Sequence, residues 1–383
     1  MTSRVARSVE VFRAAFERAS APTVGFEEEV MVLDPHTYDL AGLGREIVHR
    51  LGDGQRFKLE LPASQLEITS NPALSAQELG RQLLEARRTL ADRAADVARF
   101  GCAGVHPFAA ERGAMNTAPP YDWTLRRYGL VARKQLVCAL QVHVAVPGAE
   151  RVLPVYNAAR SHLPELLAVT ANAPVYRGED TGLATVRPTI AEQLPRQGVP
   201  PVLEGWEHYG AALAWGARSG AFPRRGAWWW ELRPHGTHGT LEVRVPDAQT
   251  TVGEATAVFA LVQSLVVWLG DRHDADDLPP PAETWRIEEN RWSAIRYGTR
   301  GRMADLETGR SMPTEQRLHS LLDALEATAE RLASREQLSR VRTMIDQPGW
   351  LRQLEVLRQG GPRAVAEHLS RAFTCGEGQT AEP

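Results

Sequence analysis

Lysine is almost missing from this chain: Lys58 and Lys134 are the only two among 44 Lys and Arg side chains. The plain reading is a GC-rich genome writing Arg for Lys on the surface, with a chemical role for either lysine the less favoured alternative. Cysteine is scarce too. Cys102, Cys138 and Cys375 are an odd number at long spacing, which excludes a disulfide framework and a CxxC metal clip and makes a reducing cytoplasm the expected compartment. Charge of one sign is not in excess. A formal net charge of -3 supplies no basic field to gather nucleic acid. No apolar run is long enough to read as a membrane span. The longest, Ala255 to Leu269, is interrupted by Thr256, Gln263 and Ser264, whereas a spanning helix needs roughly 20 apolar residues. It reads as a buried core helix. The N-terminus lacks the apolar centre of a secretory signal; Val5, Val9, Phe12 and Phe16 have the spacing of a docking helix. Nucleotide and hydrolase signatures are missing as well: no GxxxxGK[ST], no complete GxGxxG, no GxSxG, no HExxH. A bound nucleotide would have to be held by metals and arginines rather than by a P-loop.

What is present is a soluble, globular composition, 43% apolar and 24% charged over 383 residues. Ser75 and Glu78 form a capping-box pattern ahead of Leu79, Leu83, Leu84, Leu90 and Val97 at helical spacing. Pro164 stands where a helix can start. From Thr314 to about Arg371 the pattern is helical, with breaks expected near Pro348-Gly349 and Gly360-Gly361-Pro362. Four stretches instead alternate with period two: Thr23–Leu33, Leu59–Thr69, Cys138–Val146 and Thr240–Val245. Pro62 interrupts the second, so its paired part is expected to start near Ser64.

Residues i and i+2 of a strand share a face. Val24, Phe26, Val30 and Val32 then oppose Glu27 and Glu29, and Leu66 and Ile68 oppose Gln65, Glu67 and Thr69. Leu140, Val142 and Val144 oppose Gln141 and His143, and Leu241, Val243 and Val245 oppose Thr240, Glu242 and Arg244. A single strand with Glu on its outer face is ordinarily just a solvated edge. Here three such faces carry Glu and the fourth carries His. Like charges facing each other destabilise a sheet, and divalent cations with oxygen ligands, Mg²⁺ or Mn²⁺, relieve that repulsion. Arginine is the natural second element, because guanidinium groups hold phosphates and carboxylates in bidentate fashion. Arg233 precedes the Glu242 strand, Arg187 follows the turn Gly178–Gly182, and Arg296 follows Glu289-Asn290-Arg291-Trp292. The Gly-rich link His235–Thr240 reads as a turn rather than a histidine metal pair, with backbone N–H groups able to approach an anion.

The motifs together resemble the glutamate–cysteine ligase family, in its bacterial second type of carboxylate–amine ligases. The resemblance runs from Thr23-Val24-Gly25-Phe26-Glu27-Glu28-Glu29 through Gln65–Thr69, Gln141–Val144, Ala171–Pro174 and Asp180-Thr181-Gly182 with Arg187. It continues through Thr240–Arg244 and Glu289–Trp292 with Arg296-Tyr297-Gly298. It implies an α+β fold shared with glutamine synthetase and guanido kinases: a curved antiparallel sheet with helices on its convex face, its concave face binding ATP, Mg²⁺ (or Mn²⁺) and glutamate. By the same resemblance Glu27, Glu29, Glu67, His143 and Glu242 are metal or metal–nucleotide ligands, with Glu60 added seven residues before Glu67. Arg244 and Arg233 would hold the transferred phosphoryl group and act as the catalytic pair. Arg187 and Asn172 would bind the acceptor substrate, with Gln141, Asn290 and Arg296 as further substrate or ATP contacts. Gln141 departs from the usual His-Val-His-Val, and Thr185 stands where Ser is usual; both put substrate choice in doubt.

The function implied is ATP-dependent amide formation through an acyl phosphate, with glutamate as carboxylate and cysteine or another amine as acceptor. The expected partners are small molecules only, not nucleic acid or membrane; a homo-oligomer packed through the helices after Thr314 is compatible with the pattern. The alternatives are a guanidino-type phosphotransferase on the same fold and a non-catalytic binding subunit. The whole chain, 1–383, is expected to be one catalytic domain: an N-terminal helix over 1–20, the sheet and ligand-binding core over 23–300, a helical part over 314–371 and a flexible tail over 375–383.

Overall fold

The computed structural model of the chain describes residues 3–221 and 228–376. The tail expected after Cys375 lies outside these residues from position 377 onward.

Eleven strands are numbered in chain order: β1 Val24–Leu33, β2 Phe57–Leu59, β3 Gln65–Thr69, β4 Arg99–Gly101, β5 Leu140–Ala145, β6 Val175–Tyr176, β7 Glu179–Asp180, β8 Leu232–His235, β9 Thr240–Val243, β10 Arg302–Ala304 and β11 Ser311–Pro313. Seven of them form one sheet in the order β2-β3-β1-β5-β9-β8, with β4 also paired to β1. All of its pairings are antiparallel. β6–β7 and β10–β11 are separate hairpins. The four strands expected from alternation are β1, β3, β5 and β9. Pro62 has the predicted effect: β3 begins at Gln65.

The apolar face of this sheet is covered by helices. The helix Val252–Asp274 is almost wholly buried, and its Phe259 ring stacks on Phe26 of β1 at 5.0 Å. It is long and apolar enough to cross a membrane, but 78% of its apolar window is buried inside the protein, as expected of a core helix. Thr251 and Glu254 close its first turn as a reciprocal capping box. The helix Ala76–Arg93, capped by Ser75 accepting from the Glu78 N–H, packs close against it. A Cβ at Gly80 would stand 2.5 Å from the Thr256 hydroxyl, so only glycine permits this approach. The helical C-terminal part divides into Thr314–Arg331, Arg335–Asp346 and Gly349–Ala372. The last is kinked at Gly361, whose φ is 76°, next to Pro362, where the break was expected.

One charged pair crosses this apolar layer. Glu28 points to the helix side of β1, and Arg87 donates to its Oε1 at 2.6 Å and its Oε2 at 2.9 Å. Arg87 also donates to the carbonyls of Gln249, Thr250 and Phe373. Both side chains are fully buried. The pair pins β1 midway between Glu27 and Glu29, which point the other way.

The glycine-rich link between β8 and β9 is a tight hairpin turn that docks on the N-terminal helix Ser3–Glu17. A Cβ at Gly236 would meet Phe12 at 2.4 Å, and one at Gly239, where φ is 69°, would meet the Ala15 carbonyl at 2.4 Å. The glycines serve that packing, so the turn reading of this segment is the one the structure supports.

Candidate active site

The strand register carries the candidate side chains onto one face in rows. Glu29 lies opposite Glu67, and Glu27 lies opposite Thr69 on one side and Gln141 on the other. His143 faces Gly25 and Glu242, and Glu242 faces Arg233. Lys58 of β2 faces Glu67, with Nζ 3.4 Å from Oε1. Antiparallel neighbours on one face stand close enough for direct interaction. The sheet therefore concentrates acid and arginine in one basin.

The basin has two clusters of acid. In the first, His143 Nε2 lies 3.7 Å from Glu27 and 4.0 Å from Glu242, and the ligand atoms of the three all lie within 4.8 Å of one another. His143 Nδ1 is 3.0 Å from the Thr240 hydroxyl, while Nε2 is buried with no hydrogen-bond partner. Burial pushes the imidazole down to about 4, so at neutral pH it is uncharged, with Nε2 lying between two carboxylates and free to serve as a ligand atom in the tautomer that donates from Nδ1 to Thr240. That is the donor set a divalent cation uses, and these residues fit one.

The second cluster is Glu29, Glu60 and Glu67. Burial, then the neighbouring Glu60, pushes Glu29 up to about 7. Burial also raises Glu60, and burial followed by the charges of Glu27 and Glu60 raises Glu67 well above the usual carboxylate range. Glu29 accepts from the Ala139 N–H at 2.7 Å and from Gln141 Nε2 at 3.0 Å. Crowding of these carboxylates at buried and half-buried positions is the feature a cation would neutralise.

Glu242 shows the opposite balance. Burial would raise it, but Arg233 and Arg244 hold it well below the usual range. Each arginine is ion-paired to one of its oxygens, and Arg244 also donates to Gln141. Gln141 thus links Glu29 to Arg244.

Two cavities open on this face. One, of about 240 Å³, is lined by Gly25, Glu27, Lys58, Ser70, His143 and Thr240 among others. The other, of about 400 Å³, takes in Glu29, Glu60 and Arg244 on the sheet side and Tyr121, Trp123 and Trp229 opposite. A small space of about 80 Å³ adjoins it, sharing Glu29, Trp229 and Arg244 and adding Arg187 and Arg291.

The remaining candidates are placed differently. Arg187 reaches the small space but is bound to Asp247 at 2.6 Å and to the Val245 carbonyl. Asn172 is buried, and its amide is engaged by Ala248, Thr250 and Gln353. Asn290 clamps the backbone of Ala304 through both amide atoms, and Arg296 donates to the Gly182 carbonyl. None of these last three lines either cavity; each is engaged by other parts of the protein. The sequence offered a chemical role for Lys58 only as the less favoured reading, because its strand is too short for alternation to place it on the acidic face. Sequence reasoning missed the helix Pro119–Tyr128, which has no fully buried residue; Pro at its start was the one available signal.

Comparisons with known proteins show the family and the fold. Residues 23–374 match the model of glutamate–cysteine ligase family 2. A relative in Rubrobacter xylanophilus, provisionally named glutamate–cysteine ligase 2-3, is 35% identical over 92% of this chain and 98% of its own length. One in Mycobacterium tuberculosis, provisionally named glutamate–cysteine ligase 2, is 31% identical over 93% of this chain and 96% of its own. Among solved structures, glutamate–cysteine ligase of Francisella tularensis in complex with AMP superposes with a TM-score of 0.65 at 12% identity. It covers 93% of this chain and 89% of that one, a likeness of fold.

Proposed function

Since the chain belongs to glutamate–cysteine ligase family 2 and is a ligase joining carboxylate to amine, we propose that it activates glutamate with ATP and passes the γ-glutamyl group to an amine. The observation that carries this reading is the row of carboxylates and arginines lying between two cavities on one sheet face. ATP takes the cavity beside Glu27, His143 and Lys58, where Lys58 can meet phosphate oxygens. That ATP is the nucleotide is supported by the AMP bound in the Francisella ligase. Glutamate lies toward Arg244 and Arg187.

A free carboxylate is a poor acyl donor because oxide leaves badly. A γ-carboxylate oxygen attacks the terminal phosphorus of ATP and ADP departs with the bridging electron pair. The amine nitrogen then attacks the acyl carbon. A C–N bond forms, the C–O bond to phosphate breaks, phosphate leaves with that electron pair, and the amine loses a proton to solvent. Arg244 and Arg233 are poised for the moving phosphoryl group, held in place by Glu242. Glu27, His143 and Glu242 would hold one Mg²⁺ or Mn²⁺, and Glu29, Glu60 and Glu67 would hold further metal. Bound metal would supply charge neutralisation at the phosphate oxygens. Gln141 fixes Arg244 relative to Glu29. The walls exclude water that would hydrolyse the acyl phosphate. The described elements act as one catalytic unit, in the cytoplasm, on small molecules.

The test is ADP and phosphate release with glutamate and a panel of amines, with the product identified by mass. Amide, ADP and phosphate in equal amounts are expected. A phosphorylated product with no phosphate released would make the protein a phosphotransferase, and no ATP consumption with any pair would make it a binding subunit.

A further inference from the structure

The cavity of about 400 Å³ is larger and more apolar than cysteine requires. At about 30 Å³ per water it has the room of roughly a dozen water molecules, which puts it in the range that encloses whole organic ligands. Its charged lining residues, Glu29, Glu60 and Arg244, all lie at the sheet end. The walls away from the sheet are built mainly of Leu61, Pro120, Tyr121, Trp123, Leu194 and Trp229, with the uncharged Thr124, Gln135 and Gln197 as their polar members.

These aromatic walls are braced from behind. The Tyr121 hydroxyl donates to the Leu59 carbonyl, so the ring, not the hydroxyl, serves as the surface. Tyr128 packs edge-on against Trp123 at 5.8 Å and against Trp229 at 5.7 Å. Arg196 lies over the Trp229 ring at 5.1 Å and donates to the Tyr128 hydroxyl at 2.9 Å. A wall fixed in this way needs little ordering when a ligand arrives, so flat apolar surface on the ligand is rewarded at small entropic cost.

Resting on the ligase reading above, we propose that the acceptor is an amine carrying a bulky, flat, apolar body, of the arylalkylamine class, rather than cysteine. Its body lies between Tyr121, Trp123 and Trp229, and its amino group points to the sheet end, where Glu29 and Arg244 border both this cavity and the arginine-lined space beside it. A small thiol amino acid leaves most of this surface uncovered.

The experiment uses the full chain with ATP, Mg²⁺ and glutamate, and three nucleophiles. Hydroxylamine traps an acyl phosphate without needing the cavity, so γ-glutamyl hydroxamate tests the ligase reading alone; its absence removes that reading and this inference with it. Phenethylamine and cysteine test the inference. The expected result is a kcat/KM for phenethylamine at least tenfold above that for cysteine; hydroxamate formation together with equal or better use of cysteine overturns the inference while the ligase reading stands. Trp123→Ala and Trp123→Leu decide whether the cavity is the place. In either variant the KM for phenethylamine is expected to rise at least tenfold more than the KM for ATP. A rise confined to ATP would mean that the aromatic walls hold the nucleobase, and the inference would fail.

Discussion

Glu29→Gln should stabilise the fold of the metal-free protein and abolish turnover when Mg²⁺ is supplied. In the absence of a cation, burial and Glu60 push the Glu29 carboxyl up from 4.5 to about 7. A folded value above the unfolded one means that its contribution is fully favourable below pH 4.5 and is lost as pH rises through about 7. At 1.36 kcal/mol per pH unit the full loss is roughly 3 kcal/mol. Glu29 is only partly shielded from solvent, and screening brings this down to ~1–2 kcal/mol. Glutamine removes the charge but keeps an acceptor for the Ala139 N–H, at the cost of its contact with Gln141. Urea unfolding in EDTA at pH 5 and pH 8 provides the measurement. Wild type should lose stability between these two pH values relative to the variant, and at pH 8 the variant should be the more stable by about 1 kcal/mol. Added Mg²⁺ should raise the midpoint of wild type and do so less in the variant. A variant less stable than wild type at pH 8 in EDTA, by an amount that does not grow at pH 5, would refute the reasoning that these carboxylates repel.

Four further outcomes are expected. Glu67→Gln should lower kcat by about 10²–10³ with an unchanged circular dichroism spectrum; normal turnover would remove Glu67 from the site. Lys58→Met should raise the KM for ATP roughly tenfold, the equivalent of ~1.4 kcal/mol, a shift read directly from initial rates. Arg87→Met leaves Glu28 charged in the core and three carbonyls without their donor, so urea unfolding should show a loss of about 3–5 kcal/mol, largely recovered by adding Glu28→Leu. His106 is buried, and burial holds it down to about 4. Its neutral form is bonded through Nε2 to the Tyr38 carbonyl at 2.8 Å and through Nδ1 to the Ala109 N–H at 2.9 Å. A folded value below the unfolded 6.5 leaves its stability complete above pH 6.5 and lost as pH falls toward 4; His106→Gln should flatten that limb of the stability profile.

The acidic face was legible in the sequence because strand period is two and, across the stretch that carries the acidic row, β1, β3, β5 and β9 keep their large apolar residues on one parity; only the strand ends, Met31 and Leu33 of β1 and Ala145 of β5, depart from it. A single polar parity leaves Glu27, Glu29, Glu67, Gln141, His143 and Glu242 no other side to occupy. Register was not legible. That Glu29 faces Glu67, and that Glu242 sits between Arg233 and Arg244, follows from how turns and helices slide strands past one another, which alternation does not encode. The internal contacts of Asn172 and Asn290 could not be read for a related reason. A buried amide that braces backbone and one that binds substrate look the same in a sequence, and here both amides are taken up by the protein. The place of Lys58 on the acidic face and the aromatic helix Pro119–Tyr128 escaped because β2 is three residues long and that helix has no fully buried stripe, so neither leaves a periodic trace.

The most direct measurement of the central claim is oxygen transfer. Glutamate labelled with oxygen-18 in its γ-carboxylate, incubated with the protein, ATP, Mg²⁺ and an accepted amine, should deliver one labelled oxygen into each phosphate released. Amide formation accompanied by wholly unlabelled phosphate would contradict an acyl phosphate formed on this sheet face.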